Sequence, residues 1–181
     1  MEGLYLHKKE KIVISIVASK SNTGKTTLIE KLIKIFKAKN YNVGVLKHDV
    51  HKLDIDKEGK DSYRFSEAGA DNVIISSSEK LAMVQNLKEE LELEEIIKYF
   101  GDMDIIFIEG FKNNNYPKIE VHRKSHSNTL LCKDNKANIK TFIAVASDEI
   151  LDVNIPILDL NDAISIAAFI EEKCVKSYER K

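Results

Sequence analysis

The run Ser19-Lys20-Ser21-Asn22-Thr23-Gly24-Lys25-Thr26-Thr27 has the residue types and spacing to hold a polyphosphate. It follows a β-branched stretch, Ile12 to Val17, and opens a helical pattern over Thr27 to Lys39. A strand, a tight loop, Gly-Lys-Thr and a helix together make the context of a phosphate-binding loop. Backbone N–H groups in such a loop, here Ser21, Asn22, Thr23 and Gly24, point inward as an anion nest, and the helix dipole adds to the attraction. Lys25 is expected to reach the β- and γ-phosphates, and the Thr26 hydroxyl to join a Mg²⁺ shell. Thr27 carries a second hydroxyl near the α-phosphate end, or simply starts the helix. Two residues depart from the usual pattern, which begins with Gly where Ser19 stands and often has Gly where Asn22 stands. Asn tolerates positive φ well; Ser19 would be strained if its position required it. Lys20 matches the extra lysine of a dimeric subgroup of such proteins, or is a solvated surface residue.

A second segment, Asp104-Ile105-Ile106-Phe107-Ile108-Glu109-Gly110, is a near-continuous apolar run closed by a carboxylate, as expected of a central parallel strand. A carboxylate at the C-terminal end of a strand beside the loop's strand holds Mg²⁺ or orients water. Glu109 is placed for that role, with Asp49 at the end of the preceding strand as its companion. The two are expected to complete the Mg²⁺ site and to support hydrolysis, directly or through water. For Glu109 the alternative is a buried, hydrogen-bonded structural carboxylate. Asp104 starts the strand at the far end and reads as a cap or surface residue. His48 and His51, three apart, suit a contact with phosphate or substrate better than a zinc site, which would need a third ligand. Asp148, after another strand, sits where many GTP-binding proteins read guanine; no NKxD motif accompanies it, and a plain loop carboxylate is the alternative. Lys112 could meet an anionic substrate or a partner. His122 and His126 lie in polar sequence and read as surface residues.

The elements that must position these groups follow in order. Strands are expected at Lys11 to Ala18, Val43 to Lys47 (buried), Val73 to Ser76, Leu81 to Val84, Asp104 to Glu109, Thr141 to Ala146 and Ile155 to Leu158, with a short extended piece at Lys118 to His122. Helices are expected after the loop, where Leu28, Ile29, Leu32, Ile33 and Phe36 recur at helical spacing, near Glu58 to Ala68, over Leu87 to Phe100, and over Asp162 to Cys174 with Asn161 or Asp162 as cap. Arg123 to Asn138 reads as irregular. Strands alternating with helices give an α/β fold, a P-loop NTPase fold with a mostly parallel sheet flanked by helices. Ligands in such sheets bind at the carboxyl ends of the strands, and the four polar clusters at Ser19–Thr26, His48–His51, Glu109–Lys112 and Asp148 all fall on that rim.

The 181 residues suit one domain spanning the chain, with polar tails at 1–10 and 175–181. A net charge of −1 gives no global attraction to nucleic acid or to an anionic membrane. The two cysteines, Cys132 and Cys174, have no CxxC spacing, which argues against a zinc ribbon or disulfide framework and fits a reducing compartment. The N-terminus lacks the apolar core of a signal peptide, and no apolar run approaches the ~20 residues of a membrane span.

The segments HDVHKLDIDKEGKDSYRFSEAGA (His48 to Ala70), IEGFK (Ile108 to Lys112), YPKIEV (Tyr116 to Val121) and PILDLND (Pro156 to Asp162), with the GKTT loop, resemble the molybdopterin-guanine dinucleotide biosynthesis protein B (MobB) family. The resemblance runs from about Lys11 to Ile170. It implies a cytoplasmic, usually homodimeric GTP-binding adaptor with weak GTPase activity, using GTP and Mg²⁺. Its implied partner is the molybdenum cofactor guanylyltransferase, with a molybdopterin-type ligand close by. Arg64 lies in the matching block and could meet a phosphate of pterin or nucleotide bidentately, or form a surface ion pair. The family loop normally carries Gly at the place of Ser19. A P-loop small-molecule kinase or ligase, with Asp49 or His48 as base and Glu109 on the metal, is the competing class; a metal-delivery protein using His48 and His51 is a third.

Overall fold

The computed structural model describes residues 11–48, 57–134 and 138–175. Contacts divide the chain into two compact units, residues 1–48 with 100–181, and residues 49–99.

The first unit is built on a six-stranded sheet. In chain order its strands are β1 (Ile12–Val17), β2 (Val43–Lys47), β5 (Ile105–Glu109), β6 (Lys118–His122), β7 (Phe142–Ser147) and β8 (Ile157–Asp159); β3 and β4 belong to the other unit. The order across the sheet is β2-β5-β1-β6-β7-β8. Every pairing is parallel. All six residues of β1 are buried, because the strand lies between β5 and β6 and is covered on both faces. Register pairs Ile16 with Glu109 on β5 and with Ile119 on β6.

One face of the sheet is apolar. Helix α1 (Lys25–Ala38) lays Leu28, Ile29, Leu32 and Phe36 against Ile12, Ile14, Ile16 and Phe107. The helix stops at Asn40, whose φ of 64° reverses the chain. Tyr41 N–H reaches back to the Phe36 carbonyl at 3.1 Å and Asn40 N–H to Lys37 at 3.0 Å, the paired bonds of a Schellman cap. The Phe36 and Tyr41 rings meet edge to face at 5.3 Å, adding the apolar contact such caps favour. Beside α1 packs α4 (Ala163–Ile170), with Ala163, Ile166, Ala167 and Ile170 inward. Asp162 caps it, accepting from Ser165 N–H at 3.0 Å. A π-turn over Glu171–Val175 continues the element.

Polar side chains are buried on β6 at alternate positions, which the sequence reading did not anticipate. Lys118, Glu120 and His122 are each buried, as are Ser15 on β1 and Ser147 on β7. Strand side chains repeat every second residue, so the three β6 groups share one face. Each has partners. The Lys118 ammonium donates to the Asn114 and Tyr116 carbonyls and to Thr141 Oγ1. Glu120 accepts from Leu131 and Cys132 N–H at 2.7 and 2.9 Å, where a single 3-10 turn begins. His122 pairs with Glu149 at 3.0 Å. One expectation is therefore corrected. The short extended piece expected at Lys118–His122 is a strand with those bounds, interior to the sheet, and His122 is 3% exposed rather than a surface residue. Conversely β2, expected to be buried, pairs with β5 alone and is half-exposed, as an edge strand is.

The second unit contains α2 (Asp61–Glu67), an antiparallel hairpin of β3 (Asn72–Ser76) and β4 (Leu81–Gln85), and α3 (Leu93–Lys98). The expected helix over Leu87 to Phe100 shortens to α3. Its start is set by a capping box between Glu92 and Glu95, and the crowded carboxylates before it stay outside the helix. Among the described residues no helix is long and apolar enough to cross a membrane.

Candidate functional site

Because all six strands run the same way, their carboxyl ends open on one rim. That rim carries the loop after β1, Lys47–His48, Glu109, Arg123 after β6 and Asp148 after β7. The chain leaves β1 towards β2 on one side and leaves β6 towards β7 on the other. Such a divergence between neighbouring strands is where open α/β sheets form their ligand crevice, and the Ser19–Thr27 loop stands at it.

Within the loop, positive φ falls on Asn22 (59°) and Gly24 (101°). Ser19 is not among the positive-φ residues, so the strain considered for it does not arise; its hydroxyl instead donates to Ser127 Oγ at 3.0 Å. Asn22 takes the left-handed conformation that asparagine bears best among non-glycine residues. Gly24 is the N-cap of α1, and its carbonyl accepts the first helical bond from Leu28 N–H at 2.9 Å. Thr23 is buried, with Oγ1 3.5 Å from the Lys20 carbonyl, while Ser21 and Thr27 are exposed.

Thr26 and Glu109, 83 residues apart, meet at the rim. The Thr26 hydroxyl lies 2.9 and 3.0 Å from the two Glu109 carboxylate oxygens. Beside them, Lys25 has its pKa lowered. Burial is the main cause, Glu109 partly offsets it, and the neighbouring ammonium groups of Lys112 and Lys47 add to it. A half-buried ammonium beside one carboxylate and two other ammonium groups lies in surroundings that favour an anion.

Arg123, not singled out in the sequence, is tied to the same loop. Its Nε donates to the Thr23 carbonyl at 3.1 Å. A Cβ on Gly24 would lie 3.4 Å from that nitrogen, an ordinary contact, so what favours glycine there is its φ of 101°. Arg123 also pairs with Asp148 at 3.5 Å, and Asp148 accepts from Lys124 N–H at 2.9 Å. The signal that could have found Arg123 is its place directly after an interior strand, and that strand's alternating polar residues hid it.

His48 donates its backbone N–H to the Glu109 carbonyl at 3.0 Å and stacks on Phe111 with ring centroids 3.8 Å apart. Arg64 lies in the second unit, exposed, 3.5 Å from Asp61. Asp49 and His51 lie outside the described residues. Among the described residues no three of His, Cys, Asp and Glu gather as a metal-ligand group.

Residues 13–148 match the family model described as "Molybdopterin guanine dinucleotide synthesis protein B" (MobB). The chain belongs to this family. A relative from Haemophilus influenzae, named molybdopterin-guanine dinucleotide biosynthesis adapter protein, is 37% identical over 153 residues, covering 83% of each chain. One of the same name from Escherichia coli is 36% identical over 170 residues, covering 91% of this chain and 94% of the relative. A crystal structure of a molybdopterin-guanine biosynthesis protein B superposes with a TM-score of 0.68 at 27% identity, over 89% of this chain and 99% of that one. The two share the P-loop NTPase-type fold, which in this chain is a parallel six-stranded sheet flanked by helices with the loop at its carboxyl rim.

Proposed function

We propose that this chain is a nucleotide-binding adaptor in the assembly of molybdopterin-guanine dinucleotide. It binds GTP with Mg²⁺, hydrolyses it slowly at most, and docks on the guanylyltransferase that joins GMP to molybdopterin. Membership of the family supports the pathway, and so do the names of the relatives, adapter proteins in that biosynthesis.

The nucleotide assignment is carried by one observation, the approach of the Thr26 hydroxyl to both oxygens of Glu109 beside Lys25. A hydroxyl facing a carboxylate is a hard oxygen pair that fits Mg²⁺, which keeps several waters and takes one or two protein oxygens. Thr26 and Glu109 would hold it, with Asp49 as a further oxygen donor. The ion, when bound, would neutralise charge on the β- and γ-phosphates. The amides of Ser21, Asn22, Thr23 and Gly24 and the Lys25 ammonium would hold the phosphates, with Thr27 towards the α-phosphate. Asp148 is a guanine-reading candidate and Arg64 a contact for a pterin or nucleotide phosphate. Glu109, bonded to Thr26, suits holding a metal or a water more than taking a proton from a substrate hydroxyl, which favours binding over fast phosphoryl transfer.

Residues 1–181 are read as one nucleotide-binding domain with 49–99 inserted between β2 and β5, working in the cytoplasm as a homodimer. The exposed Ile74, Ile75, Leu81 and Met83 of the β3–β4 hairpin favour self-association, since a lone two-stranded hairpin is marginal in water.

The test is calorimetric titration of GTP, ATP and their diphosphates, with and without Mg²⁺, against the wild type and Lys25→Ala. The wild type should bind GTP with Mg²⁺ and Lys25→Ala should not, with the circular dichroism spectrum of the variant unchanged. Equal affinity in both proteins would overturn the assignment. Transfer of phosphate to an isolated metabolite at about 1–100 s⁻¹ would mark a kinase instead.

A further inference from the structure

Resting on the nucleotide assignment above, we propose that Lys112 reads the terminal phosphate and so makes the site distinguish a nucleoside triphosphate from a diphosphate.

The geometry begins at the end of β5. Glu109 is followed by Gly110 with φ 98° and Phe111 with φ 47°. Positive φ in a bulky aromatic residue is a true outlier, held only where the surroundings over-determine it. Those surroundings are present. The Phe111 ring stacks on His48, whose backbone N–H is bonded to the Glu109 carbonyl at 3.0 Å. The Asn114 side-chain amide donates to the Phe111 carbonyl and, at 2.9 Å, to the buried Ser15 Oγ of β1. Even a methyl at Gly110 would come 3.2 Å from the His48 carbonyl oxygen. Three strands therefore hold one turn in a costly conformation.

What the turn accomplishes is the direction of the next residue. Lys112 doubles back over the rim and brings Nζ within 3.5 Å of the Ser19 carbonyl, 93 residues away. Ser19 begins the loop, and Thr27, towards the α-phosphate, lies at its other end. The lysine of such loops reaches the β- and γ-phosphates, and a metal held by Thr26 and Glu109 would neutralise charge on those same phosphates. Lys112 Nζ thus stands at the opening of the loop, at the end where Lys25 is expected to meet the same phosphates. Two ammonium groups at the distal end of the loop suit a group of more than one negative charge. The γ-phosphate is such a group, and a diphosphate does not extend to it. A surface lysine that merely touched a carbonyl would not require the strained turn.

The experiment measures affinity for a non-hydrolysable GTP analogue and for GDP, at fixed Mg²⁺, in the wild type, Lys112→Met and Lys112→Arg. Lys112→Met keeps the apolar stem and removes the charge. Loss of one charge-assisted contact should lower affinity for the triphosphate analogue about tenfold or more, while GDP affinity stays near the wild-type value. Lys112→Arg should recover most of the preference, and the nucleotide-free melting temperatures of all three proteins should agree. Equal loss for both nucleotides, or no loss for either, would overturn the role of Lys112 and leave the nucleotide assignment standing. A wild type that binds neither nucleotide would overturn both.

Discussion

Replacing Arg123 should weaken nucleotide binding through the shape of the loop more than through charge. Its Nε–H is bonded to the Thr23 carbonyl at 3.1 Å, and its guanidinium pairs with Asp148 at 3.5 Å, with the two side chains 32% and 25% exposed. A hydrogen bond from a charged donor contributes about 1.5–3 kcal/mol, and partial exposure puts this one near the lower bound. The ion pair adds about 0.5 kcal/mol after solvent screening. In Arg123→Ala both are gone, and the loop must be ordered by the nucleotide itself, at a cost of up to about 2 kcal/mol, or roughly 30-fold in affinity. The substitution Arg123→Lys keeps a charge beside Asp148 and loses the Nε–H, so a loss of about tenfold is expected. Asp148→Asn still accepts from Lys124 N–H through its amide oxygen and loses the ion pair, about twofold, and any loss beyond that reports its proposed contact with guanine. The assay is calorimetry with GTP and Mg²⁺ on the three variants, alongside nucleotide-free melting curves. Wild-type affinity in Arg123→Lys, together with a loss in Asp148→Asn as large as in Arg123→Ala, would refute this account, because charge alone would then be what matters.

Two further outcomes concern the polar ladder of β6. Glu120→Gln should lower unfolding free energy by about 1–3 kcal/mol, because an amide turned onto the Leu131 and Cys132 N–H groups leaves a buried donor unpaired; an unchanged urea midpoint would count against it. Lys118 is buried, and burial pushes its pKa down to about 8. The unfolded chain holds that proton to about pH 10.4, so between the two values the unfolded state binds more protons and stability contributed by this group rises with pH. Wild-type stability should therefore gain on that of Lys118→Met between about pH 8 and 10; parallel pH curves from chemical denaturation would contradict it.

The alternation of elements was legible in the chain because it is carried by local patterns. Leu28, Ile29, Leu32 and Phe36 repeat at helical spacing and do face the sheet, and Ile105 to Ile108 are apolar throughout because β5 is covered on both sides. Strand β6 was legible as an extended piece, but its interior place was not, because Lys118, Glu120 and His122 are polar and His122 read as a surface residue. Their burial depends on partners at Thr141, Leu131 and Glu149, which no local pattern announces. The helix expected over Leu87 to Phe100 was overdrawn because periodicity does not show where a capping box such as Glu92–Glu95 will start it.

The loop and its helix are written locally in the chain: the turn-forming Asn22 and Gly24 lie next to the residues they position, so neighbouring backbone preferences suffice. What surrounds that loop is settled by folding alone. Thr26 meets Glu109 across 83 residues, Arg123 reaches Thr23 across 100, and Lys112 returns to Ser19 across 93. Those meetings follow from strand order and parallel direction, which bring distant carboxyl ends to one rim, and strand order is set by how whole faces pack rather than by any run of adjacent residues.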